Sequence, residues 1–194
     1  MPYPRYLLPI IYLCGITLAS AQQPQLTLRH YTTDQGLPSS EVHEVLQDSR
    51  GYLWFGADNG LSRFNGYEFR NYSAVDGLTD SFIFRLQEDH RGWIWIQTIS
   101  GKVFYYEPKQ DIIHAFWGNR EIKKLQGQFI SSSAGLQVDS TDVVHIVFGG
   151  YGILKFLPDS SIQAFRPSFV CNIIYQLPNA VLTNVVGYHR MPII

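Results

Sequence analysis

The residues with the chemistry for catalysis or metal binding are scattered along this 194-residue chain. None of its six histidines stands at a spacing typical of metal ligands, and Cys171 has no cysteine partner. The G-G-Y-G at 149–152 lacks the Lys-Ser/Thr and the helix of a phosphate-binding loop. The sequence therefore predicts no catalytic residue, no metal site and no cofactor. The histidines are His30, His43, His90, His114, His145 and His189.

Short polar side chains in predicted turns indicate ligand binding rather than catalysis. Carboxylate, amide and hydroxyl groups suit the hydroxyl groups of a sugar, and exposed aromatic rings can stack on it. The same residue types also close turns, so a purely structural role stays open for Asp58, Asn59 and Asp76. The candidate ligand-binding residues are Asp34, Asp58, Asn59, Asp76 and Ser100.

Charge and composition limit which class of protein this chain belongs to and which partners it binds. The chain has 15 Lys and Arg against 16 Asp and Glu, which gives a net charge of −1. Binding to a phosphate backbone needs a concentrated positive field, so nucleic acid is excluded as a partner. A hydrophobic fraction of 45% with 16% charged residues indicates a folded globular chain, and 14% aromatic residues favour β-strands.

The elements that must position these residues recur along the chain. A shift of 41 residues aligns 31–60 with 72–101 without a gap. A third, more divergent copy carries its aspartate at Asp139, and an incomplete fourth follows. We place the repeats at about 31–71, 72–116, 117–165 and 166–194. The identical pairs are Tyr31/Tyr72, Gly36/Gly77, Leu37/Leu78, Ser40/Ser81, Asp48/Asp89, Arg50/Arg91, Gly51/Gly92, Trp54/Trp95 and Gly60/Gly101.

Each repeat has turn residues at intervals that predict four short antiparallel strands. In the first copy we predict strands over 42–47, 52–57, 61–64 and 67–72, joined by turns at 48–51, 58–60 and 65–66. The last turn is Asn-Gly, a strong hairpin signal. Four hairpin-linked strands in ~40–45 residues make one blade of a β-propeller. The predicted fold is all-β, an incomplete propeller of roughly three to four blades over residues 22–194.

The repeated residues have expected structural roles within this fold. One four-stranded sheet cannot bury both of its faces, so blades stack, and we expect Trp54 and Trp95 to fill the space between neighbours. Asp48 and Asp89 are expected to accept hydrogen bonds from their own turns, and Gly51 and Gly92 to adopt positive φ. For Arg50 and Arg91 two options stay open: a carboxylate of the next blade, or solvent.

The first copy, V-H-E-V-L-Q-D-S-R-G-Y-L-W-F-G-A-D-N-G-L-S-R-F-N-G-Y-E-F after D-Q-G-L-P-S-S, closely resembles the two-component regulator propeller repeat. The second copy, D-G-L-T-D-S-F-I-F-R-L-Q-E-D-H-R-G-W-I-W-I, resembles it as well. The resemblance implies the exported sensory part of a bacterial hybrid histidine kinase, many of which respond to carbohydrate fragments. Typical members have two seven-bladed propellers followed by membrane, kinase and receiver parts. Roughly four blades are too few to close a ring. We therefore interpret the chain as a fragment truncated before those parts, a truncated reading frame, or a piece completed by another polypeptide.

The N-terminus has the pattern of a secretory signal peptide. Residues 1–21 carry one positive charge, Arg5, then an apolar run that ends in Ala19-Ser20-Ala21, a small-x-small cleavage pattern. The run is too short to span a bilayer, which takes ~20 apolar residues. No second run of membrane length follows. We expect an exported, periplasmic protein that begins near Gln22, with Cys171 unpaired and no membrane span after cleavage.

Three functions fit these observations. The favoured hypothesis is an extracytoplasmic ligand-sensing module of a two-component receptor. Its partners would be an oligosaccharide or other small ligand, together with the rest of the receptor or a second copy. The alternatives are a propeller scaffold for protein–protein interaction and a propeller enzyme acting on glycans. The D-x-x-G-x-x-W spacing is one residue longer than that of a sialidase Asp-box, which weighs against the enzyme.

Overall fold

The computed structural model describes residues 28–128, 133–148, 152–167 and 188–190. The chain divides into two units, Met1–His30 and Tyr31–Ile194. Only residues 28–30 of the first unit are described, and they form no helix or strand. The predicted signal peptide, Cys171 and most of the predicted fourth repeat lie outside the described residues. All elements named below belong to the second unit.

The first sheet, blade 1, has four strands in the order β1-β2-β3-β4, each antiparallel to its neighbour. Trp54 lies opposite Leu46 on β1 and Arg63 on β3. Three predicted boundaries differ, because Tyr52 lies in the turn before β2, Gly60 begins β3 and β4 begins at Phe69 rather than at Tyr67. The strands are β1 (Val42–Gln47), β2 (Leu53–Ala57), β3 (Gly60–Phe64) and β4 (Phe69–Tyr72).

The second sheet, blade 2, repeats this arrangement in the order β5-β6-β7-β8. Leu86 pairs with Ile96, as Val45 pairs with Phe55 in blade 1, so the two sheets keep the same register under the 41-residue shift. Its strands are β5 (Ile83–Glu88), β6 (Ile94–Thr98), β7 (Val103–Glu107) and β8 (Ile112–Ala115).

The third sheet, blade 3, has five strands in the order β13-β12-β11-β10-β9. Its first four strands correspond to the four strands of the other blades, and β13 comes from the segment predicted to start a fourth repeat. The strands are β9 (Ser133–Val138), β10 (Val144–Phe148), β11 (Gly152–Phe156), β12 (Ile162–Pro167) and β13 (Tyr188–Arg190).

A helix precedes blade 3, where the sequence predicted only a longer spacer. This helix, α1 (Asn119–Gln128), buries Ile122 in the core that blade 3 shares with blade 2. The Asn119 amide bonds both backbone groups of Val103, with N–H···O distances of 2.8 Å in each direction. The helix is thereby fixed to β7, and it occupies the segment that lengthens the third repeat.

Two apolar cores lie between the blades. The first joins Trp54 and Leu61 of blade 1 to Ile83, Ile96 and Phe104 of blade 2, all of them buried. The second joins Trp95 of blade 2 to a set of buried residues in α1 and blade 3. Since ~25 cal/mol is gained per Å² of buried apolar surface, these cores are the main source of stability between sheets. That second set comprises Ile122, Leu136, Val138, Val144, Ile146, Phe148, Leu154, Phe156 and Ala164.

Candidate functional site

The turn between the first two strands of blade 1 is organised around a buried carboxylate. Asp48 accepts hydrogen bonds from the backbone N–H of Arg50 (3.0 Å) and of Tyr52 (2.9 Å), and from the indole N–H of Trp54 (2.9 Å). Burial would raise the pKa of Asp48, but the bonds from Trp54, Arg50 and Tyr52 hold it below its usual value. Gly51 completes the turn at φ 89°, which favours glycine.

Blade 2 repeats the arrangement. Asp89 accepts from the backbone N–H of Arg91 (2.9 Å) and of Trp93 (3.0 Å), and from the indole of Trp95 (3.0 Å). The guanidinium of Arg91 reaches both Asp89, at 2.7 Å, and Asp142 of blade 3, at 3.2 Å. Arg91 therefore takes the first of the two options left by the sequence, whereas Arg50 pairs with Asp48 of its own turn, at 2.9 Å.

The corresponding turn of blade 3 keeps the aspartate, but different groups donate hydrogen bonds to it. Asp139 accepts from the backbone N–H of Thr141 (2.9 Å) and of Val143 (3.1 Å), and a nitrogen of His145 lies 2.9 Å from it. Burial would raise the pKa of Asp139, but hydrogen bonds from Thr141, His145 and Val143 lower it to about 2. His145 thus stands where Trp54 and Trp95 stand, and the three turns serve the fold rather than a ligand.

A second carboxylate ties blade 1 to blade 2, and the sequence analysis did not identify it. Asp111, in the turn between β7 and β8, accepts from the hydroxyls of Tyr72 (3.1 Å) and Tyr106 (2.7 Å). Its other oxygen lies 3.0 Å from the guanidinium of Arg70. Burial raises the pKa of Tyr72 and of Tyr106, so both hydroxyls keep their protons and donate. This contact also belongs to the structure of the propeller.

The predicted ligand-binding residues all fall at the other end of the sheets. We call this the lead-in end: it holds the segment before the first strand of a blade and the turn between its second and third strands. Asp34 and Asp76 lie in short 3-10 helices of two such segments, Thr33–Gln35 and Ala74–Asp76. Asp34 is exposed, while the Asp76 carboxylate accepts from the Ser73 N–H at 2.9 Å. Asp76 therefore closes its own turn, the alternative that the sequence left open.

Ser100 lies in the β6–β7 turn and is bound to neighbours that the sequence did not single out. Its hydroxyl donates to Asp80, which also accepts from Thr98 at 3.0 Å. The ammonium of Lys102 lies 3.8 Å from the same carboxylate. Ser100 is nevertheless exposed, so its turn presents hydroxyl, carboxylate and ammonium groups at the lead-in end.

Asp58, in the β2–β3 turn, lies next to two other titratable side chains. Its carboxylate contacts the imidazole of His43, and the carboxylate of Glu41 lies beside both. Potential ligand atoms of the three side chains all lie within 4.8 Å of one another. The hydrogen bond from His43 lowers the pKa of Asp58. Asn59, the next residue, is exposed.

Spacing along the chain does not reveal this cluster, because its three residues do not stand at the intervals typical of metal ligands. Antiparallel pairing of β1 with β2 brings residues 41–43 against residue 58 instead. The 41-residue shift already held a signal: Glu41, His43 and Asp58 align with Phe82, Phe84 and Ile99. All three positions change from apolar in the second copy to metal-ligating types in the first.

Comparison with known proteins identifies the repeat. Residues 36–59, which run from the lead-in segment of blade 1 through its β2–β3 turn, match the family model of the two component regulator propeller. This segment of blade 1 is thus similar to a two component regulator propeller repeat. The match covers the turn around Asp48 and Trp54, and the 41-residue shift places a second such repeat in blade 2. No curated protein matches the chain.

The fold of this chain is similar to the folds of solved structures. The chain resembles the extracellular domain of the hybrid two component system BT3049 from B. thetaiotaomicron, with a TM-score of 0.52 and 19% sequence identity. That match covers 68% of this chain and 18% of the BT3049 chain. The extracellular domain of BT4673 from the same organism gives a TM-score of 0.42 at 16% identity, over 67% of this chain and 25% of that one. The predicted β-propeller blades are confirmed.

The chain spans less than a fifth of the BT3049 domain it resembles. Within the described residues, no helix is long and apolar enough to cross a membrane.

Proposed function

We propose that this chain forms part of the extracytoplasmic ligand-sensing propeller of a hybrid two-component receptor. The observation that carries the proposal is the regulator propeller match at residues 36–59, which falls on the strands and turns of blade 1. The fold shared with the extracellular domain of BT3049 supports it. The apolar N-terminal run with its Ala19-Ser20-Ala21 cleavage pattern supports export to the periplasm.

The ligand that suits the lead-in end is an oligosaccharide or another small polar molecule. Asp34, Asn59 and Ser100 are exposed there, and they offer carboxylate, amide and hydroxyl groups for sugar hydroxyls. Phe84, 37% exposed near the start of β5, gives an aromatic ring on which a sugar face can stack. The chain has no catalytic role in this proposal, since binding alone is needed to change the state of a receptor.

Binding would act through the parts of the receptor that lie beyond this chain. A ligand shifts an equilibrium only by its difference in affinity for the two states. An oligosaccharide held at the lead-in end would therefore favour one geometry of the propeller against the rest of the receptor or against a second copy. Phosphotransfer would belong to those other parts.

Titration calorimetry of the full chain with a panel of neutral and acidic oligosaccharides tests the binding step. We expect one class of oligosaccharide to bind. Asp34→Ala and Asn59→Ala should each lower the affinity for it at least fivefold. Tyr67→Ala is the matched control, because Tyr67 is 95% exposed in the β3–β4 hairpin at the opposite end of blade 1. Failure of every fragment to bind, or equal weakening by the control, would contradict the proposal.

Export has a test of its own. N-terminal sequencing of the protein recovered from the periplasm of expressing cells should give a chain that begins near Gln22. Retention of the intact protein in the cytoplasm would contradict the periplasmic location.

A further inference from the structure

Three metal-ligating side chains converge at the lead-in end of blade 1. They are Glu41, His43 and Asp58, and we call them the Glu-His-Asp cluster. Glu41 and His43 flank the start of β1, and Asp58 lies in the turn that follows β2. The Asp58 backbone N–H donates to the Glu41 carbonyl at 3.3 Å, which fixes the two segments side by side.

A β-bulge aims the imidazole at this turn. Val42 pairs with Ala57 and Glu44 pairs with Gly56, so His43 is the extra residue of β1. A bulge re-aims the side chain of the residue it inserts. The ring of His43 stacks on Phe82 with a centroid distance of 4.7 Å and an interplanar angle of 12°. Its Nε2 atom contacts the Asp58 carboxylate, so backbone and packing both orient the imidazole.

Blade 2 shows that the fold does not need these polar residues. The same bulge occurs in β5, where Ile83 pairs with Thr98 and Arg85 pairs with Gln97. The positions that correspond to the cluster hold Phe82, Phe84 and Ile99, and Ile99 is 46% exposed. The same strand register and bulge are thus built with apolar side chains in one blade and with two carboxylates and an imidazole in the other.

The chemistry of the cluster matches a divalent transition-metal ion. One imidazole and two carboxylates are ligands of Zn²⁺ and Mn²⁺, and the absence of thiolate or thioether groups from the set disfavours a soft ion such as Cu⁺. Two ligand atoms bound to one zinc ion lie roughly 3.5 Å apart. The three ligand atoms already lie within 4.8 Å of one another, and Glu41 and His43 are exposed side chains that are able to close the difference.

We propose that the Glu-His-Asp cluster binds one divalent transition-metal ion, with Glu41, His43 and Asp58 as its protein ligands. Three protein ligands leave at least one coordination position for water. The ion would join the start of β1 to the β2–β3 turn. This proposal does not depend on oligosaccharide binding, because none of the three ligands is changed in the variants that test the proposed function.

Titration calorimetry of Zn²⁺, and separately of Mn²⁺, into the metal-stripped full chain tests the site. We expect one ion per chain for at least one of the two metals. His43→Phe, which installs the blade 2 residue, and Glu41→Gln, a nearly isosteric change at an exposed position, should each weaken binding at least tenfold. Metal should also raise the melting temperature of the wild type, because it binds the folded chain.

His90→Gln is the matched control. His90 also lies beside a carboxylate, Asp142, at 3.7 Å, but the Arg91 guanidinium sits on the same carboxylate and repels a cation. Affinity should therefore be unchanged in His90→Gln. The proposal is overturned if neither metal binds, if His43→Phe or Glu41→Gln leaves the affinity at the wild-type value, or if His90→Gln weakens it as much as they do.

Discussion

The indole N–H of Trp54 donates a 2.9 Å hydrogen bond to the carboxylate of Asp48, six residues earlier in the chain. Both side chains are shielded from water, with Trp54 fully buried between blades 1 and 2. One residue thus satisfies a buried charge with its nitrogen and fills the space between two sheets with its rings. The strand and the turn before it are held together by this bond.

Replacement of this donor by a smaller aromatic ring should be costly, because the hydrogen bond and part of the buried ring volume are both lost. Trp54→Phe leaves the buried Asp48 carboxylate one hydrogen bond short, which costs about 1–3 kcal/mol of unfolding free energy. Trp117→Phe, at a position 49% exposed, should change the unfolding free energy by less than about 0.5 kcal/mol. Urea unfolding measures both, and similar values for the two variants would contradict the role of the bond.

Acid should weaken blade 3 through Asp139. Its pKa of about 2 in the folded chain lies below the value of about 3.9 in an unfolded chain. The unfolded state therefore binds the proton first, so the contribution of Asp139 is present above about pH 4 and lost as the pH falls toward 2. Melting temperatures at pH 6, 4 and 2.5 should fall less steeply for Asp139→Asn than for the wild type. Parallel curves would contradict the shift.

Close approach of the lead-in segment of blade 2 to β8 of the same blade gives a third test. Gly77 and Gly66 have nearly equal backbone angles, φ 100° and 98°. A Cβ at Gly77 would collide with the backbone carbonyl of Ile113 in blade 2, whereas none of the surrounding atoms lies within 4 Å of one at Gly66. Gly66→Ala should cost about 1–2 kcal/mol, from the positive φ alone.

Gly77→Ala carries that strain and the steric clash as well. We expect its unfolding midpoint in urea to fall well below that of Gly66→Ala. Equal midpoints for the two alanine variants would show that the approach to Ile113 is not tight.

The parts of the molecule that could be predicted from sequence are those that recur. The 41-residue repeat predicts the strands of blades 1 and 2 and the positions of Asp48 and Trp54. Each copy must bury its faces against neighbouring blades in the same way, so the same residues recur. The indole-to-carboxylate bond itself was not foreseen, although both residues were singled out. The repeat has no counterpart for α1 (Asn119–Gln128), so that helix could not be predicted by comparison of copies.

The candidate site was predicted only in part, for a physical reason. Asp58 and Ser100 were chosen one at a time, by residue type and by turn. Their partners, His43 at the start of β1 and Asp80 in the segment before β5, come from other parts of the same blades. Antiparallel pairing sets those contacts, and spacing along the chain does not show them. Asp111 was missed likewise, since two of its partners, Arg70 and Tyr72, lie on the neighbouring blade.

The contact made by Asp111 can be separated from the strain of its turn. Asp111 has a φ of 55° between β7 and β8, and Ser160 has a φ of 64° in the corresponding β11–β12 turn of blade 3. Glycine suits both angles, so Ser160→Gly should leave the unfolding free energy unchanged or slightly raised. Asp111→Gly gains the same relief but deletes the acceptor of the Tyr72 and Tyr106 hydroxyls.

Those two buried hydroxyls then lose their carboxylate acceptor, while the Tyr106 oxygen keeps its 2.6 Å bond from Arg63. The Arg70 guanidinium also loses its 3.0 Å contact. We expect a net loss of about 1–3 kcal/mol for Asp111→Gly in urea unfolding, against none for Ser160→Gly. Because Tyr72 lies on β4 of blade 1 and Tyr106 on β7 of blade 2, the loss should also raise hydrogen exchange in both of these strands. Equal stability of the two glycine variants would mean that Asp111 does not hold the blades together.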